Sequence, residues 1–208
     1  MNIVFDLGAV LLEWQPAALV AQSFPAQAST AEAAQTLAKQ LFGHADWHAF
    51  DRGVVAMDDV VTRSAARLQL PHAALQTLVE GIAEQLRPMA ETLSILAALR
   101  ALRQRNAGVI GLYFLSNMPV PYARSLERRH AFFEWFDGGL FSGDVLQVKP
   151  EPDIYRLLQS RYALQPERTL FIDDLQGNID TARELGWQGI HFQSAAQLRA
   201  DLPLLNSR

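Results

Sequence analysis

With 208 residues, half of them apolar, the chain can bury one sizeable core and one small accessory module. Its 22 acidic residues against 18 basic ones leave a net charge of −4, which provides no electrostatic footprint for a nucleic acid. The absence of cysteine removes disulfides, thiolate nucleophiles and thiolate metal sites, so a metal would be held by oxygen or imidazole.

Asn2 to Phe5 is a short apolar run that stops at Asp6, Leu7 and Gly8, which predicts a buried strand with a carboxylate at its end. No Lys or Arg precedes this run and no later run reaches membrane-spanning length unbroken, so a cytoplasmic protein without a membrane partner is expected. From Pro16 to Leu86 the composition turns Ala- and Gln-rich, punctuated by Phe24-Pro25, Gly43 and Leu70-Pro71, and reads as an all-helical insert. After Arg87-Pro88 an amphipathic helix is expected with Leu93, Leu96, Leu99 and Leu102 on one side, broken at Asn106, Ala107 and Gly108. A strand over Val109 to Leu115 then ends in Ser116-Asn117. The rest alternates: a strand at Leu140-Phe141, a helix from Pro152 to Tyr162, a strand from Thr169 to Ile172 ending in Asp173-Asp174, a helix from Asn178 to Leu185, a strand from Gly189 to Phe192 and a terminal helix. This rhythm predicts an α/β fold, a Rossmann-like parallel sheet with helices on both faces. Residues 1–15 and 87–208 would form the core, with 16–86 as a helical cap inserted after the first strand.

Ligands in such sheets sit beyond the carboxyl ends of the strands. Asp6, Ser116-Asn117 and Asp173-Asp174 all stand at such ends, and Val148-Lys149-Pro150 precedes a helix nearby. Carboxylates from two strands suit Mg²⁺, a hard cation that takes oxygen ligands. Lysine and Ser/Asn donors suit the equatorial oxygens of a phosphoryl group. Only Lys39 and Lys149 are lysines in an otherwise arginine-using chain, which fits a need for a compact ammonium at Lys149.

The phrases Phe5-Asp6-Leu7-Gly8-Ala9-Val10, Leu115-Ser116-Asn117, Val148-Lys149-Pro150 and Phe171-Ile172-Asp173-Asp174, with Asn178 four residues on, together resemble the haloacid dehalogenase-like hydrolases. Among that family they look most like the sugar-phosphate phosphatases. The resemblance implies that Asp6 attacks phosphorus and becomes an aspartyl-phosphate, that Ser116 and Asn117 hold phosphoryl oxygens, and that Lys149 balances charge. It implies Mg²⁺ held by Asp6, the Gly8 carbonyl and Asp173, with Asp174 as the outer partner, and a small phosphate ester as substrate.

One position departs from that pattern. Most phosphatases of the family carry an acid-base aspartate two residues after the nucleophile, and here stands Gly8. Such a group is worth about 10²–10⁴-fold. Either the leaving group is already acidic, as in a sugar 1-phosphate, or Glu13, His44 or His48 supplies the proton. Two other readings share the same residues: a metal-independent 2-haloacid dehalogenase and a catalytically silent phospho-ligand or partner-binding protein. In the segment His44 to Gly53, Trp47, His48, Phe50 and Arg52 form a cluster that could face substrate; the alternative places Trp47 and Phe50 in the cap core with the polar members solvated. His191 and the run Phe132, Phe133, Trp135, Phe136 read as structural. Oligomeric state is not legible.

Overall fold

The computed structural model describes residues 1–105 and 110–206. Strand β1 (Asn2–Phe5) is followed by five helices: α1 (Pro16–Ser23), α2 (Ala31–Phe42), α3 (Ala45–Asp51), α4 (Met57–Leu68) and α5 (His72–Gln85). Then come α6 (Ala90–Arg105), β2 (Gly111–Ser116), α7 (Val120–Arg129), β3 (Gly138–Phe141), α8 (Ser142–Val145), α9 (Pro152–Arg161), β4 (Thr169–Asp173), α10 (Gln176–Glu184), β5 (Gln188–His191), α11 (Ala195–Asp201) and α12 (Pro203–Asn206). The expected break at Asn106, Ala107 and Gly108 and the expected strand start at Val109 lie outside the described residues.

The five strands are parallel in the order β3-β2-β1-β4-β5, the Rossmann-like arrangement. Period-two alternation divides their side chains between the two faces. Ile3, Phe5, Leu112, Phe114, Leu170 and Ile172 join one buried cluster with Leu96 and Leu99 of α6 and Leu198 of α11. Val4, Leu115 and Phe171 join a second with Ile154, Tyr155 and Leu158 of α9 and Ile179 of α10. Covering both faces explains why these strands read as continuous apolar runs.

Local signals start and stop the helices. The Thr30 side chain caps α2 by accepting from Ala33 N at 3.1 Å, and Pro152 opens α9, where its missing N–H costs nothing. Gly186, at φ +83°, turns the chain out of α10 in the left-handed conformation that glycine tolerates. The apolar stripe of α6 differs from expectation: Thr92, Ile95, Leu96 and Leu99 are buried, while Leu93 and Leu102 are half-buried. Residues spaced by three fall about 60° short of a full turn at each step, so four such leucines cannot share a face.

The chain reverses its direction of growth across the sheet at β1, where β2 and β3 extend one way and β4 and β5 the other. The crevice beyond the carboxyl ends of β1 and β4 is therefore the place for a ligand. Helices α1–α5 leave the sheet at that end and pack partly against the same core. Among the described residues no helix is long and apolar enough to cross a membrane.

Candidate active site

Asp6 directly follows β1, and its backbone N donates to Ile172 O at 2.8 Å, so the ladder to β4 fixes its position. Asp173 is the last residue of β4 and Asp174 the next. One carboxylate oxygen from each of the three lies within 4.8 Å of the other two. Into this cluster Lys149 sends a buried ammonium, 2.9 Å from Asp6 Oδ1 and 2.6 Å from Asp173 Oδ2. The residues expected to meet do meet.

Each is held by identifiable neighbours. Asn117 accepts from Lys149 N through Oδ1 (2.8 Å) and donates to Lys149 O through Nδ2 (2.9 Å). Its carboxamide thus fixes the backbone that carries the ammonium, where the sequence suggests a direct grip on phosphoryl oxygens. Ser116, at the end of β2, lines the cleft as expected. Asp173 is fully buried and both its oxygens are occupied: Oδ1 accepts from Leu175 N (2.8 Å) and Asn178 Nδ2 (2.9 Å), and Oδ2 accepts from Lys149 and from Asn178 Nδ2 (3.0 Å). Tyr155 of α9 in turn donates to Asn178 O at 3.0 Å. Asp174 is half-buried and lines the cleft, which Asp173 does not. His191, read as structural, places Nε2 2.9 Å from Asp174 O.

Electrostatics follow from this crowding. Burial, only partly countered by Lys149 and reinforced by Asp173 and Asp174, lifts Asp6 to about 7. Burial and the Asp173 charge lift Asp174 to about 6. Burial alone would lower Lys149, but Asp173 and Asp6 outweigh it and hold the ammonium above its ordinary value. A group of carboxylates this strained by mutual repulsion gains from any added positive charge.

The cleft over these groups measures about 230 Å³. Much of its lining is apolar, with Trp14, Phe42, Trp47, Ile82, Leu86 and Tyr122. His48 and Asp51 of α3 also line it. Of the three expected proton donors only His48 is there: His44 instead accepts from Asp46 N at the start of α3 (3.1 Å), and Glu13 borders a separate hollow. Asp51, one of the polar members of the segment His44 to Gly53 read as solvated, faces the cleft instead. Among the described residues no hydrogen bond or ion pair reaches its carboxylate, and burial pushes that group up to about 8.

Contacts tie the helical insert to the sheet around this cleft. Ser142 Oγ donates to Asp51 O at 2.5 Å and accepts from Met118 N at 2.8 Å. Arg52 forms a two-pronged pair with Glu151, with Nη1 2.8 Å from Oε2. Tyr122 OH donates to Val79 O at 2.6 Å. Phe50 is core as expected, whereas Trp47 both packs and faces the cleft. Phe132, Phe133 and Phe136 pack among themselves and against Phe5, Phe114 and Phe141.

Comparison with known proteins agrees with this geometry. Residues 1–186 match a family profile described as haloacid dehalogenase-like hydrolase. The sesquiterpene phosphatase astK of Aspergillus oryzae is 24% identical over 189 residues, covering 91% of this chain and 88% of that protein. A HAD family enzyme of Bacteroides thetaiotaomicron, solved with magnesium and inorganic phosphate, superposes with a TM-score of 0.70 at 17% identity, covering 95% and 98% of the two chains. The L-2-haloacid dehalogenase of Xanthobacter autotrophicus superposes with a TM-score of 0.66 at 17% identity, covering 95% of this chain and 80% of that one.

Proposed function

This chain belongs to the haloacid dehalogenase-like hydrolases, and from that premise we propose that it hydrolyses small phosphate monoesters with Mg²⁺ through a phosphorylated Asp6. The observation that carries this reading is the trio Asp6, Asp173 and Asp174 within 4.8 Å, with the Lys149 ammonium between the first two. A metal-independent dehalogenase needs no second carboxylate facing the cleft beside its nucleophile, as Asp174 does here. The relative named a sesquiterpene phosphatase supports ester hydrolysis, and the magnesium and phosphate in the Bacteroides enzyme support the ion and the ligand.

The donor set fits a hard divalent cation. Asp6 and Asp174 offer carboxylate oxygens to the cleft, and no hydrogen bond among the described residues is donated to the Gly8 carbonyl. Asp173 has both oxygens taken. We therefore assign the two neighbours the reverse of the roles the sequence suggests: Asp174 would be the ligand with Asp6 and Gly8, and Asp173 would hold Lys149 in place. Bound there, Mg²⁺ supplies positive charge to the phosphoryl oxygens and to the crowded carboxylates.

Asp6 then attacks phosphorus in line with the ester oxygen, which departs as the alcohol, and water releases phosphate from the aspartyl-phosphate. Lys149 neutralises charge beside the attacking oxygen, and Ser116 donates to a phosphoryl oxygen. Helices α1–α5 act as a cap that keeps bulk water from the cleft.

The test is release of phosphate from p-nitrophenyl phosphate with Mg²⁺, with EDTA, and with Asp6→Asn. Turnover that needs both the metal and Asp6 is expected. Halide release from 2-haloacids in EDTA, without phosphatase activity, would replace this reading by the dehalogenase.

A further inference from the structure

The cleft is lined by groups of two opposite chemistries. Its anion-handling groups come from the strand ends and from Lys149 in the loop before α9, and Lys149 is the one lysine or arginine among the described residues that line it. That ammonium is already paired with Asp6 and Asp173. A second phosphate or a carboxylate on the substrate would thus meet no further lysine or arginine among the described residues that line the cleft.

The rest of the lining is largely hydrocarbon: Trp14, Phe42, Trp47, Ile82, Leu86 and Tyr122 face the cleft, and the rings interlock edge to face. Ring centroids lie 5.0 Å apart for Trp14–Phe42, 4.7 Å for Phe42–Trp47, 5.5 Å for Trp47–Phe50 and 5.6 Å for Phe50–Tyr122. The chain of rings runs from the loop after β1, through α2 and α3, to α7. Such a wall is rigid, because turning one ring displaces the next. Tyr122 has no proton to offer, since its hydroxyl donates to Val79 O.

A sugar carries several hydroxyls, and each one buried on this wall without a partner would weaken binding roughly tenfold or more. His48 and Asp51 are the polar side chains available there among the described residues, too few for a sugar ring. We infer that this cleft takes the monophosphate ester of an uncharged, predominantly hydrocarbon alcohol, an alkyl, prenyl or aryl phosphate, rather than a sugar phosphate. The inference rests on the phosphatase reading and replaces the sugar ester suggested by the sequence. An aliphatic alcohol leaves poorly and its oxygen needs a proton. Asp51 stands in the same cleft with a carboxyl that burial keeps protonated near neutral pH.

The experiment measures kcat/KM for phosphate release from straight-chain alkyl phosphates, butyl to octyl, beside glucose 1-phosphate, glucose 6-phosphate and p-nitrophenyl phosphate, all with Mg²⁺. Each added methylene should raise kcat/KM about threefold to fourfold until the cleft is full. Hexyl phosphate should exceed both sugar phosphates by roughly tenfold or more. Phe42→Ser and, separately, Trp14→Ser should flatten that slope; both residues are only half-buried, and the wild-type series stands without them. A flat series, or a sugar phosphate preferred over hexyl phosphate, with p-nitrophenyl phosphate still hydrolysed, overturns the inference and spares the phosphatase reading. Release from none of these esters overturns both.

Discussion

Replacing Lys149 by methionine keeps most of the side-chain volume and removes the charge that lies 2.9 Å from Asp6 and 2.6 Å from Asp173. Asp173 is fully buried and cannot turn to water for compensation, and Asp6 reaches only the cleft. Breaking a buried ion pair in this way costs about 3–5 kcal/mol, a large part of the roughly 5–15 kcal/mol that holds a domain together. The relief open to the folded protein is a proton on Asp6. Burial already lifts that carboxyl to about 7 against the opposing pull of Lys149, and loss of the lysine lifts it further. Because the folded state then holds a proton that the unfolded chain releases above its ordinary carboxylate value of 3.8, stability falls as pH rises from there through the folded value. Urea unfolding of wild type and Lys149→Met in EDTA, followed by tryptophan fluorescence, measures this. The variant should lose about 3–5 kcal/mol at about pH 8.5 and clearly less at about pH 5.5. A loss under about 1 kcal/mol at both would refute the reasoning.

Other substitutions separate neighbouring roles. Asp174→Asn should weaken Mg²⁺ binding, read by titration calorimetry, by about tenfold or more while the metal-free melting temperature stays near wild type. Asp173→Asn should chiefly lower that melting temperature, since it strips the partner of Lys149 and Asn178; the opposite pairing of effects would restore the order suggested by the sequence. Asp51, raised to about 8 by burial, should make the protein less stable as pH climbs from its ordinary 3.8 toward 8, and Asp51→Asn should remove that slope in melting curves taken across the range. The same variant should slow hydrolysis of hexyl phosphate much more than that of p-nitrophenyl phosphate, whose phenol departs without a proton; equal slowing would deny Asp51 a part in protonation.

Much of the fold was legible because strands buried on both faces must be apolar until they reach the ligand end, so Asp6, Ser116-Asn117 and Asp173-Asp174 mark their own positions. Lys149 stood out by rarity in an arginine-rich chain. What the sequence could not resolve depends on direction. Two adjacent aspartates look alike until Leu175 N, Asn178 and Lys149 are seen to occupy one of them. Asn117 reads as a phosphoryl donor until its carboxamide is found clasping the Lys149 backbone. The apolar wall was hidden for a different reason. Trp14, Phe42, Trp47 and Tyr122 are scattered over more than a hundred positions, and helical periodicity reports which residues are apolar without telling a core face from a cleft face. Asp51 was invisible as a functional residue because an aspartate at a helix end has the same pattern whether solvated or enclosed.

The central claim concerns a bond between Asp6 and phosphorus. Acid quenching during steady-state turnover of a phosphate ester in heavy-oxygen water, followed by peptide mass spectrometry, tests it. The peptide carrying Asp6 should bear one phosphoryl group, and the heavy oxygen should appear in the released phosphate. Turnover with no phosphoryl group on Asp6, or heavy oxygen incorporated into the Asp6 carboxylate, would contradict the account.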